Sequence, residues 1–238
     1  MKSMLKGVCL SVAAWVLAPV VVAQEKPVIA VIEFKNESGA AWWNGGVGWE
    51  LSGMLSNELA ATGDFRVLER TKLESVMSEQ DLAMSGRVDP STGAKFGKLV
   101  GAQYLIAGTV TAYEESTAGT GGGLSFGGIS VGGKSEKAYL AIDLRVIDSS
   151  TGEIAHVRTV EGTSKGGGIS LGLYRGGFGG SLDNYKNTPA GKSIRAALVE
   201  ASDYLTCVMV EKSSGCKAEY QAKESRRREG TKSALDLD

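Results

Sequence analysis

The chain has 238 residues, with 26 Lys and Arg against 27 Asp and Glu: long enough to bury a core as one domain with insertions, and without the basic excess that holds nucleic acid. A single histidine and three cysteines leave no His/Cys set for zinc and no histidine-based nucleophile relay. Of 33 glycines, 17 fall in two windows, residues 119–133 and 162–180, and glycine adds nothing to a core, so the windows read as inserted parts with a separate task.

In chain order, Lys2 and Lys6 precede an apolar run from Leu10 to Val22, and Val21-Val22-Ala23 closes it with a small residue. This pattern predicts a secretory signal peptide over residues 1–23, cut after Ala23. Removing the two lysines takes the formal charge from −1 to −3. Cys9 stands ahead of the apolar run, so it does not read as a lipid-anchor cysteine. No later stretch approaches the ~18 apolar residues of a spanning helix, which leaves strands as the way to cross a bilayer.

Residues 28–34 (VIAVIEF) predict a buried strand. Val47, Leu51, Met54, Leu55 and Leu59 predict a helix over 46–62, closed by Gly63. Residues 65–69 predict a second strand, and Thr71-x-x-Glu74 reads as a capping box opening a helix toward Leu82. A short helix is expected over 91–100 and a strand over 103–113. Residues 138–148 and 153–163 form a hairpin around the turn cluster 149–152. Thr188-Pro189 supplies an N-cap and an N1 proline for a helix carrying Ile194, Ala197, Leu198, Ala201 and Leu205. Together these predict a single α/β domain over 24–216, a mixed sheet flanked by helices. Cys207 and Cys216, an even pair in an exported chain, favour a disulfide over two free thiols. The charged segment 217–238, with Arg226-Arg227-Arg228, reads as a solvated, flexible tail.

Two inserts, 114–137 and 164–187, span 24 residues each, room for two strands of ~9–11 residues and a turn. A two-residue turn at Gly127-Gly128 sets Leu124, Phe126, Ile129 and Val131 on one face and Ser125 and Ser130 on the other. A turn at Gly176-Gly177 sets Ile169, Leu171, Leu173, Phe178 and Leu182 opposite Ser170, Tyr174, Ser181 and Asp183. One apolar, lipid-facing side and one polar, lumen-facing side is the alternation of a transmembrane barrel strand. Two hairpins cannot close a barrel, so several copies would have to join in a ring. The alternative is that both windows are flexible loops.

The segments FRVLERTKLESVMSEQ, SGRVDPSTGAKFGKLVGAQYLIAGTVTAY, VIAVIEFKN and LRVIDSSTGEI resemble the curli-secretion channel family, CsgG-like proteins, over roughly residues 28–205. The resemblance implies a periplasmic α/β domain with two inserted hairpins and a homo-oligomeric ring of about nine copies. It also implies an outer-membrane barrel shared among the copies, an unfolded secreted protein as client, and periplasmic accessory proteins. Lipid anchoring, frequent in such proteins, has no lipobox cysteine here. In family members the loop after the first strand lines the constriction, which by position implies Trp42, Trp43 and Asn44; the competing reading has the tryptophans docking that loop onto the body.

Gly191-Lys192-Ser193 lacks the glycine of a phosphate-binding loop five positions earlier, where Lys186 stands, so no nucleotide or other cofactor is expected. The sequence thus predicts a non-enzymatic secretion-pore subunit that passes its client by diffusion. The alternative is a periplasmic adaptor with the same core that recruits envelope proteins.

Overall fold

The computed structural model describes residues 25–119, 125–126, 129–130, 134–165 and 188–235. Strand β1 (Val28–Val31) lies buried inside a mixed sheet, next to its edge. It pairs in parallel with β3 (Arg66–Leu68) on one side and β4 (Tyr104–Gly119) on the other. The short β2 (Lys35–Asn36) adds to β4 farther along. Strand β4 then pairs antiparallel with β7 (Lys134–Asp148), and β7 with β8 (Ile154–Lys165). A separate ribbon joins β5 (Ser125–Phe126) to β6 (Ile129–Ser130). The sheet order β3-β1-β4-β7-β8 leaves β3 and β8 as its edges.

Helices α1 (Val47–Thr62) and α3 (Pro189–Thr206) pack on the sheet and on each other. Between them and the strands lie Ile29, Leu51, Leu55, Ile106, Leu140, Ile142, Ile194 and Leu205, all essentially without solvent contact. Helix α1 ends as its sequence dictates: Gly63 takes φ +74° and its N–H donates to the Ala60 carbonyl. Helix α3 begins as expected too, with the Thr188 side chain accepting from the Gly191 N–H at 3.1 Å. That cap occupies the Gly191-Lys192-Ser193 backbone in ordinary helix chemistry.

Three expectations fail. The capping box at Thr71 is not made, because α2 (Leu73–Met84) starts one residue later with Lys72 at its N-cap. Glu69 Oε1 instead accepts from the Lys72 N–H at 2.9 Å. Residues 91–100 are turns, not a helix. Asp89 gathers the chain by accepting from the Ser91 N–H and hydroxyl, both at 2.8 Å, and Gly97 turns left-handed at φ +69°. The expected loose tail is helical over most of its described length: helix α4 spans Ser214–Ala234. Ser213 caps it, Glu219 pairs with Lys223 at i,i+4, and Glu224 pairs with Arg227 and Arg228.

Candidate functional site

The sheet does not stop where its core stops. In β4, Ile106, Gly108 and Val110 face the helices until a bulge between Val110 and Ala112 adds one residue. The bulge reverses the alternation, so Tyr113, paired with Leu140, turns toward Trp42 on the core side. Beyond the bulge the ladder runs from Ala112↔Ala141 to Gly119↔Lys134, about 24 Å at ~3.4 Å per residue. Glu114, Glu115 and Lys137 are exposed, while Ala138, Leu140 and Ala141 on the paired strand stay buried. Strand β8 follows on the other side of β7 as far as Lys137↔Lys165. The β4–β7 pair thus forms a stem that carries the sheet to the first glycine window, while β8 stays under α3 as far as buried Ser164, whose Oγ donates to the Pro189 carbonyl.

Carboxylates and phenols mark the neck of the stem. Tyr113 donates to Glu115 Oε2 and Tyr139 to Glu161 Oε1, each at 2.8 Å. Burial, with the Glu161 carboxylate beside it, pushes the Tyr139 phenol well above its ordinary range, so it stays a neutral donor. Farther out, Ser125 pairs with Ser130 and Phe126 with Ile129, antiparallel. This register agrees with a two-residue connection through 127–128, positions that lie outside the described residues. The remaining hairpin positions of both faces also lie outside them: Leu124, Val131, Ile169, Ser170, Leu171, Leu173, Tyr174, Phe178, Ser181, Leu182 and Asp183.

A family model, "Curli production assembly/transport component CsgG", matches residues 14–235, nearly the whole chain. The chain belongs to the CsgG family. No curated protein matches it in sequence. Among solved structures it is similar to the hypothetical protein CT253 from Chlamydia trachomatis, at 14% identity over 74% of this chain and 95% of that one, TM-score 0.41. It is also similar to lipoprotein GNA1162 from Neisseria meningitidis, at 18% identity over 60% and 88%, TM-score 0.35. The PelC dodecamer from Paraburkholderia phytofirmans matches at 15% identity over 74% and 85%, TM-score 0.35.

In this CsgG-family chain the loop after β1 is pinned rather than free. Asn36 Oδ1 accepts from the Ser38 N–H and hydroxyl, and Glu37 N–H donates to the Val110 carbonyl at 2.8 Å. Trp42 is 5% exposed and meets Tyr113 edge-on at 5.5 Å and Trp43 at 5.7 Å. Trp42 is therefore a core residue that docks the loop, whereas Trp43 is half-buried and Asn44 exposed. Both border a groove of about 920 Å³ with Glu33, Lys35 and Trp49.

Sequence reasoning missed a clamp at the other end. Cys207 and Cys216 are bonded, as the even count favoured, across a π-helical turn (Cys207–Glu211) closed by Lys212 at φ +52°. Tyr220 of α4 packs against Tyr204 of α3, with centroids 5.3 Å apart. The Arg158 guanidinium lies 5.3 and 4.8 Å from the two ring centroids and donates through Nη1 to the Tyr220 carbonyl at 2.8 Å. Lys223 adds a pair with Glu200 at 3.2 Å. One aromatic in an otherwise polar helix, Tyr220, was the only signal in the sequence.

Nearby, burial pushes His156 below its ordinary pKa, and Lys212 and Lys217 push the same way. The unfolded chain therefore binds a proton more readily than the folded one. Stability is expected to fall as pH drops from about 6.5 toward the folded value, with no effect above that range. Thermal melts at stepped pH would check this, and His156→Gln should flatten the dependence. Among the described residues no His/Cys/Asp/Glu group is placed to hold a metal, and no helix is long and apolar enough to cross a membrane.

Proposed function

We propose that this chain is one subunit of an outer-membrane secretion pore through which unfolded protein subunits leave by diffusion. The observation that carries the reading is the stem: beyond the bulge β4 and β7 continue as a paired ladder from exposed Glu114 to the edge of the first glycine window, and β8 pairs with β7 up to the edge of the second. Loops would have no need of a ladder that outlives its core, whereas a barrel wall does. Family membership supports the same reading. Apolar residues of each insert (Phe126, Ile129, Leu171 and Leu173 among them) face lipid, and Ser125, Ser130, Ser170 and Tyr174 face water. Copies close the wall by joining side by side. The chain reaches the envelope by its signal peptide and performs no catalysis. Asn44 and the open edge of Trp43 take the constriction role.

The test is conductance of detergent-extracted protein in planar bilayers, where channels with oligomer-sized steps are expected. Phe126→Asp and Leu171→Asp should each shift the protein out of the outer-membrane fraction. A charge at mid-bilayer costs roughly 2–4 kcal/mol for a basic residue and less for an acidic one, multiplied over every copy in the ring. Normal fractionation of both variants, with no conductance from the parent protein, would leave the adaptor reading standing instead.

A further inference from the structure

The two faces of the sheet differ in chemistry where it approaches the glycine windows. On one face Leu140, Ile142, Leu144 and Val160 are buried with α1 and α3. On the other, polar rows cross β4, β7 and β8 in register. In the inner row Glu114 pairs with Tyr139, and Tyr139 with Thr163. The carboxylates near this row have company: Glu161 accepts from Tyr139, and Arg227 lies within electrostatic reach of Glu161 and Asp143. In the next row outward Ser116 pairs with Lys137, and Lys137 with Lys165. Two lysines thus hold directly opposed positions on adjacent strands, where like charges repel. Lys137 is exposed and makes no ion pair or hydrogen bond among the described residues, although Glu114 on β4 is its diagonal neighbour.

Counting by twos carries this face into the first insert. From Glu114 and Ser116 the count reaches Leu124 and Phe126; from Tyr139 and Lys137 it reaches Val131 and Ile129. Those four residues are the ones given to lipid, so the lysine row falls on the lipid side of the wall, at the last register position of β8. We infer that Lys137 and Lys165 hold between them the phosphate of an anionic lipid headgroup at the periplasmic rim of the barrel. The inference rests on the pore reading, which brings the inserts into a bilayer. A phosphate between two ammonium groups replaces their repulsion with two charge-assisted contacts. Lysine suits the task, because its compact charge on a flexible stem can follow a moving headgroup and keep clear of the hydrocarbon. Glu114 and Glu161 stand nearer the core, on the watery side of that boundary.

The test mixes the full chain, extracted in detergent, with vesicles of phosphatidylcholine alone or with one lipid in three replaced by phosphatidylglycerol, and reads the inserted fraction by flotation. Each cation near an anionic surface raises binding about fivefold, so two should favour the anionic vesicles about 25-fold. Lys137→Gln with Lys165→Gln should remove that preference, and the paired arginine substitutions should keep it. Lys95→Gln with Lys98→Gln, on the exposed turns after α2, changes the net charge equally and should leave the preference unchanged. Equal loss from both glutamine pairs would reduce the effect to net charge and overturn the site. Loss of the parent's preference in added inorganic phosphate would overturn the headgroup in favour of a free anion. A parent that conducts in planar bilayers yet inserts equally into both vesicles overturns the inference and leaves the pore intact. A parent that neither conducts nor inserts overturns both. Should circular dichroism show the Lys137 and Lys165 glutamine pair unfolded, salt on the parent decides: the preference should fade as ionic strength rises, and its persistence counts against the inference.

Discussion

Valine in place of Gly162 is expected to lower stability by about 3 kcal/mol or more and to release α3 from the sheet. Gly162 sits on β8 opposite Leu140, at the crossing with α3. A Cβ built there would meet the Ser193 carbonyl oxygen and the Ala197 nitrogen well inside van der Waals contact. Both are helix backbone, so neither swings aside as a flexible side chain would. The surroundings are also committed: Ser193 Oγ donates to the Ala190 carbonyl and Ser164 Oγ to the Pro189 carbonyl, each at 2.8 Å. The helix must lift as a unit, uncovering Ile194 and Ala197. Because β8 also leads into the second window, the same change should remove pore assembly. Denaturant unfolding gives the first effect and fractionation the second. Gly53→Ala is the control: it lies mid-α1 with nothing near its Cβ position, and should gain ~0.5–1 kcal/mol. Comparable losses from both variants would show that the crossing at Gly162 is not what confines that position.

The same residue shows where reading the sequence stopped short. Gly162 counts among the glycines of the second window and also falls in the strand expected over 153–163; nothing local marks it as a core glycine that lets a helix touch a strand. Nothing in a run of glycines separates the one demanded by close approach from those demanded by a turn. Strand alternation in 138–148, the Gly63 cap and the Thr188-Pro189 start were legible because each signal is local. The continuity of β4 was not: the sequence predicts a strand over 103–113 and a separate insert from Glu114, since outside a core no burial enforces alternation across the join. Residues 91–100 are expected from sequence to form a short helix, but the turns at Asp89 and Gly97 replace it and leave Phe96, Leu99 and Val100 in solvent. The tandem tryptophans carried two readings, and only packing against Tyr113 assigns Trp42 to the core. Helix α4 was hidden by its own composition. Its polarity suits a tail, and its anchor, Arg158, stands 62 positions away along the chain.

The second large effect concerns that anchor. Replacing Cys207 and Cys216 together with serine should cost about 2–3 kcal/mol, from the closure entropy of a loop of ~10 residues. The loss should not spread evenly. Helix α1, α3 and the central strands keep their shared core, and Cys207 is the only one of the two cysteines fully buried in it. Without the bond, α4 retains Tyr220, the Arg158 contacts and the Lys223–Glu200 pair. Cation–π contact at a part-exposed site adds ~0.5–1 kcal/mol and a surface ion pair ~0–1 kcal/mol, too little to order a 21-residue helix whose only buried residue is Tyr220. Amide exchange in α4 should therefore quicken by roughly 30–150-fold, the rate equivalent of that free energy, while exchange in β7 changes far less. Reducing agent on the parent protein should reproduce the pattern. Adding Arg158→Met to the double serine variant should quicken α4 exchange further, since it removes the guanidinium from between the two rings and its hydrogen bond to the Tyr220 carbonyl. Uniform exchange across α4 and β7 in the serine variant would mean that the bond braces the whole fold rather than strapping one helix to it.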